Sequence, residues 1–143
     1  HKMQFLLSMI GEEPDFDQIP PEQMQAIMDQ MDAYNKQLDE AGAWVVGGGL
    51  QVVANAKTVR FDLEGEGVIS DGPFAETKEH LAGFWIIECE SIDEAVGWAR
   101  KAPVRGAAIE IRPFGTDIET KPGQVEISAS ELLEAAKGNA QSS

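Results

Sequence analysis

The sequence predicts an α+β subunit in which an antiparallel sheet carries two helices on one face. Three observations lead there. The 143 residues are enough for one domain with a real hydrophobic core. The apolar patterning runs strand, helix, two or three strands, helix, strand, which is the split-βαβ order. Apolar residues make up 43% and charged residues 25%, the balance of an ordinary globular chain.

Gln4 to Ile10 is a short, strongly apolar run that stops at Gly11 and reads as a buried strand. Gly11 to Gln18 is acidic, contains Pro14 and reads as a loop. Pro20-Pro21 opens a helix, since a prolyl ring fixes a helical φ and its missing N–H is not needed in the first turn. That helix runs to about Glu40, with Gly42 as its stop. Met24, Ile27, Met28, Met31, Tyr34 and Leu38 form its apolar face, read as a core face rather than an adaptable methionine stripe. Trp44 to Val53 is the next strand, interrupted by Gly47-Gly48-Gly49. Such a run suggests a bulge, a bend or the close approach of a ligand or another chain. Val59, Phe61 and Leu63 alternate with Arg60 and Asp62, and Gly65-Glu66-Gly67 turns them back into Val68-Ile69-Ser70 as a hairpin.

Asp71-Gly72-Pro73-Phe74 reads as a turn, and Ala75 to Leu81 as a loop or single helical turn. Gly83 to Glu90 is a central strand. Ser91, with Glu94 three residues on, caps a second helix from about Ile92 to Lys101. Ala107 to Phe114 is the last strand, with Ile109 and Ile111 on one face and Glu110 and Arg112 on the other. The whole is a ferredoxin-like subunit over residues 3–115. Residues 116–143 form an extension with a short helix near 129–137, begun by Ser128 and Glu131, stopped by Gly138 and followed by a frayed end.

Charge excludes several functions. With 25 Asp and Glu against 11 Lys and Arg the net charge is −14. Such a chain repels a phosphate backbone, so direct nucleic-acid binding is not expected. Anionic membrane surfaces are disfavoured for the same reason. No apolar run approaches the roughly 20 residues of a membrane span. Phe5 to Ile10 is too short for the apolar part of a secretory signal, so a cytoplasmic location is expected. The single cysteine, Cys89, allows no intramolecular disulfide and sits in an apolar run, so it reads as a small core residue. No metal-ligand spacing and no Ser-His-Asp or Cys-His arrangement is present, and neither a metal nor a cofactor is expected. His1, ahead of Met3, is left out of the functional reading.

The segment Val68-Ile69-Ser70-Asp71-Gly72-Pro73-Phe74-Ala75-Glu76-Thr77-Lys78-Glu79 resembles the YCII-related family, in particular its DGPF branch. Gly47-Gly48-Gly49-Leu50, Gly83-Phe84-Trp85-Ile86-Ile87, Arg105-Gly106 and Ile109-Glu110-Ile111-Arg112-Pro113 match the same branch in order. The resemblance covers about Met3 to Gly115 and implies a homodimer, a dimeric α+β barrel made by pairing two sheets. Physics supports this: helices cover one sheet face only. The other would carry Leu6, Trp85 or its neighbours, and Val68 or Ile69, a patch that soluble monomers rarely expose. The resemblance also implies a pocket in which a His of the first helix works with an Asp. Here that helix has no His, and its start holds Glu22, Gln23, Met24 and Gln25.

The candidate site residues follow. Asp71 and His80 are the candidate acid/base pair. Asp71 can instead cap its own turn, and His80, beside acidic residues, can instead be a solvated loop histidine. Gly48, Gly49, Lys78, Arg105, Glu110 and Arg112 are candidate ligand contacts. Lys78 between Glu76 and Glu79 also reads as a surface ion-pair cluster, and Glu110 with Arg112 as a structural ion pair. An anion, if bound, would meet Lys78, Arg105 and Arg112. Two functions are expected. One is an inter-sheet cleft that binds a small polar or anionic molecule, with cofactor-independent lyase or isomerase chemistry as its catalytic form. The other, implied by the resemblance, is a non-catalytic regulatory protein that binds a protein partner such as a sigma factor. Such an association would weaken with salt.

Overall fold

Met3–Glu12 forms the first strand, β1, apolar on both faces, with Phe5 and Leu7 fully buried and Leu6 half-buried. The structure, a computed structural model, describes residues 2–139. After β1 come α1 (Pro21–Glu40), β2 (Trp44–Gly49), β3 (Lys57–Phe61), β4 (Gly67–Asp71) and β5 (Glu79–Cys89). Then follow α2 (Ile92–Lys101), β6 (Ala107–Pro113) and α3 (Ala129–Lys137). The main sheet has the order β2-β5-β1-β6, with every pair antiparallel. This is the ferredoxin-like split-βαβ arrangement. The hairpin β3–β4 is a separate two-stranded sheet inserted between β2 and β5.

Local chemistry sets the element ends. Pro21 is the first residue of α1, where its ring costs nothing. The helix ends where Gly42 N–H reaches the Asp39 carbonyl at 3.0 Å and Ala43 N–H the Leu38 carbonyl at 2.9 Å. In α2, Ser91 Oγ accepts from Glu94 N–H at 3.1 Å. The Glu94 carboxylate returns not to Ser91 but to Glu90 N–H, at 2.8 Å. In α3 the Ser128–Glu131 capping box is complete, at 3.2 and 3.3 Å.

The core lies between the sheet and the two helices. Register places Phe5 opposite Ile87, and Leu7 opposite both Trp85 and Ile111. These side chains meet Tyr34 and Leu38 from α1 and Ala95 and Trp98 from α2. Polar ends are satisfied: Tyr34 OH donates to the Trp98 carbonyl at 2.8 Å, and Trp85 Nε1 donates to Asn35 Oδ1 at 2.8 Å. The Tyr34 and Trp85 rings stand edge to face, 5.4 Å apart. Cys89 is buried in the same cluster, and burial pushes its thiol above the usual range, as suits a core residue.

The structure alters several expectations. The strand expected over 44–53 ends at Gly49: Leu50 N–H makes one last in-register bond to the Ala82 carbonyl at 2.9 Å, and Val53–Asn55 then coils into a 3₁₀ turn. The segment 75–81 is not all loop: β5 starts at Glu79 and pairs from there with Glu12. Trp85 points to the helices, and its neighbours Phe84 and Ile86 share the open face with Leu6 and Ser8. Val68 and Ile69 are not in that sheet at all but in the hairpin. The methionine face of α1 is only partly core. Tyr34 and Leu38 are buried, while Ile27 and Met28 in the first half are exposed. The register slips between Trp44 and Val46, so the bulge near the glycine run falls at Val45.

Beyond β6 the chain bends back onto the sheet. Phe114 N–H bonds the Gln4 carbonyl at 3.0 Å, and Ile118 N–H the Gln4 side chain at 2.8 Å. Gln4 in turn donates to Glu88 at 3.1 Å, so the extension meets the open face at the Gln4–Glu88 end. The expectation of a frayed end concerns chiefly residues 140–143, which lie outside the described residues.

Candidate functional site

A cavity of about 490 Å³ opens where the β2–β3 connection faces the β4–β5 connection. One wall is Leu50 to Val53 with Asn55 and Ala56; the other is Pro73 to Ala75 with Thr77 and the first residues of β5, Glu79 to Leu81. Its volume lies in the usual range for a small-molecule site. The walls are largely apolar, with Gln51, Asn55, Thr77, Glu79 and His80 as the polar groups.

Each wall has a local cause. The 3₁₀ turn at Val53 is tied down by Glu13, whose carboxylate accepts from Val53 N–H at 2.6 Å. Asn55 Nδ2 donates to Gln51 Oε1 at 3.1 Å. Opposite, the chain reverses at Gly72, whose φ of +96° suits glycine. Gly72 N–H bonds the Ala56 carbonyl at 2.7 Å, and Thr58 Oγ1 bonds the Gly72 carbonyl at 2.9 Å. Arg60 donates to the Phe74 carbonyl, and its guanidinium lies 5.8 Å from the Phe74 ring centre. Thr77 Oγ1 bonds the Glu79 carbonyl at 2.7 Å and leads the chain into β5.

His80 stands at the start of β5, opposite Gly11, half-buried in the cavity wall. Asp71 ends β4 and does not line the cavity. Its carboxylate is 85% exposed and takes a 2.7 Å bond from Lys57 Nζ, not from the backbone of its own turn. Lys78 is exposed and outside the lining. Gly48 and Gly49 end β2, opposite Phe84 and Gly83, one step before Leu50 enters the wall. Arg105 is exposed between α2 and β6. Glu110 and Arg112 lie on β6 opposite Ser8 and Leu6, on the face away from the helices, and are exposed. Among the described residues no ion pair joins them; the pairs formed are Lys36–Glu40, Lys57–Asp71 and Lys137–Glu134.

The cavity thus gathers His80 with Gln51, Asn55, Thr77 and Glu79, and leaves Asp71, Lys78, Arg105, Glu110 and Arg112 outside. Chemically it offers an imidazole that can take or give a proton, two amides, a hydroxyl and one carboxylate beside apolar walls. Gln51, Asn55 and Thr77 carry no sequence signal of their own, since polar residues in loops are common. The Glu13 clamp joins residues 40 apart and is invisible to spacing. Among the described residues no cluster of His, Cys, Asp and Glu could hold a metal ion, and no helix is long and apolar enough to cross a membrane.

Sheet order, helices on one face and a lateral cavity beside the inserted hairpin define a ferredoxin-like α+β subunit. Residues 3–114 match the YCII-related domain, and the chain belongs to that family. It is also similar to an uncharacterised protein of Rhizobium meliloti (strain 1021), with 36% identity over 107 residues. That match spans 73% of this chain and 83% of the relative.

Proposed function

We propose that this chain is a cytoplasmic homodimer that binds a small molecule with an apolar body and one polar group. The observation that carries this reading is the position of His80, half-buried in the wall of a 490 Å³ cavity among apolar side chains. Phe74, Leu50 and Leu81 would contact the apolar body, and His80, Thr77 and Asn55 the polar group. The lining holds no Lys or Arg, which favours a neutral or cationic polar group over an anion. Where the ligand is turned over, His80 is the proton-transfer group, in lyase or isomerase chemistry that needs no cofactor. The homodimer is supported by the open face of the main sheet, where Leu6, Phe84 and Ile86 are only half-buried.

A thermal-shift screen tests the ligand reading. A panel of hydroxylated aromatics and small aromatic amines is screened against wild type and His80→Ala. The expected result is a ligand that raises the Tm of wild type by several degrees, and the shift is largely lost in His80→Ala. Equal shifts in both proteins, or none across the panel, would overturn it.

A further inference from the structure

Every residue from Val59 to Asp71 is exposed. Phe61 is 72% exposed, Val68 and Ile69 are 69% exposed, and Leu63 is fully exposed. Yet β3 alternates apolar and polar residues, the pattern of a strand with one covered face. Register resolves the two faces. Val59 pairs with Ile69 and Phe61 with Gly67, so Val59, Phe61 and Ile69 share one side. Thr58 and Arg60 lie on the other and bond the backbone at Gly72 and Phe74. The polar side is therefore anchored to its own chain, and among the described residues the apolar side has no cover. A lone two-stranded ribbon is marginal in water.

We infer that the apolar side of this hairpin is a dimerisation arm that lies on the open sheet face of a second copy. This rests on the homodimer reading and names the element that makes the contact. Area favours a second copy as occupant. The apolar side chains on this side, Val59, Phe61 and Ile69, together with Leu63 in the turn that follows, expose roughly 550 Å², about two thirds of the roughly 800 Å² that one partner gives to a standard interface, while Val68, opposite Arg60, lies on the other side. The same chain supplies the receiving surface, since Leu6, Phe84 and Ile86 lie half-buried on the open sheet face and Val46 beside them is 43% exposed. A twofold axis makes such a contact twice, arm on sheet and sheet under arm. The contact is apolar between two chains of charge −14, so salt strengthens it by screening their repulsion.

Sedimentation equilibrium of the full chain, with far-UV circular dichroism as the check of fold, tests the arm. Wild type is expected to be a dimer that tightens between about 0.1 and 0.5 M NaCl. Phe61→Ser with Ile69→Thr is expected to weaken the dimer roughly 100-fold with an unchanged spectrum. If that variant loses its fold, Leu63→Ser with Val59→Thr replaces it and is expected to weaken the dimer at least tenfold. A dimer with an unchanged constant in a folded arm variant overturns the arm and leaves the homodimer standing. A dimer that loosens with salt also overturns the arm. A monomeric wild type overturns both, while the thermal-shift screen still judges the cavity on its own.

Discussion

Asp71 shows how one bond changes a residue's meaning. Its carboxylate is spent on Lys57 at the foot of the hairpin, in full contact with water. Exposed pairs of this kind contribute little, so Asp71→Asn should lower stability by less than about 1 kcal/mol in urea unfolding. A larger loss would mean that the pair holds the hairpin. Tyr34 is the opposite case. Burial pushes its hydroxyl up to about 12, and it donates to the Trp98 carbonyl. The folded state therefore keeps the proton more tightly than the unfolded chain, whose tyrosine titrates near 10. Its contribution is whole below pH 10 and is lost as pH climbs to about 12. Tyr34→Phe strands the Trp98 carbonyl and should cost about 1–2 kcal/mol at pH 8. The gap between wild type and variant should narrow at pH 11.5 in matched urea titrations. A gap that stays constant would show that Tyr34 does not titrate against folding.

At the scale of elements, close packing between β2 and β5 accounts for two glycines, Gly47 and Gly83. A Cβ on Gly83 would lie 2.9 Å from the Gly48 carbonyl, and one on Gly47 would strike the Trp44 ring at 2.8 Å. The β2 backbone keeps Gly83 small and the Trp44 ring chiefly keeps Gly47 small, whereas Gly48 and Gly49 have room for a Cβ. Gly83→Ala should push β2 from β5 and cost about 1–3 kcal/mol, read as a drop in Tm. An unchanged Tm would show that β2 can move aside freely. The element ends were legible in the sequence where a local rule sets them, as at Pro21, Gly42, Ser91 and Ser128. They were not legible where a distant partner decides. β5 begins at Glu79, four residues before the apolar run, because β1 continues to Glu12 and offers it a ladder. Trp85 and its two neighbours could not be sorted by period in a run apolar at every position, and the helices alone decide which of them they cover.

Across the whole molecule, the fold could be read from the chain because order and period suffice for a split-βαβ sheet. The cavity could be read only in part. His80 was in view as a titratable group, but its wall partners arrive from residues 50–56, a stretch with nothing but ordinary loop composition. Asp71 opens a recognisable turn, but its exposure on the hairpin is not encoded in that turn. Charge keeps its broad meaning, a solvated acidic coat, while the cavity lining stays nearly free of it. The clasp of Arg60 on Phe74 ties these scales together. Phe74 belongs to the cavity and Arg60 to the hairpin, so the two cannot settle independently. Whatever steadies the hairpin steadies one wall of the cavity, and an occupant of the cavity must return the same free energy to the hairpin. If the hairpin arm and the cavity act as proposed, binding in the hollow and pairing of two copies become one linked equilibrium, and affinity for the small molecule then rises with the concentration of the protein itself.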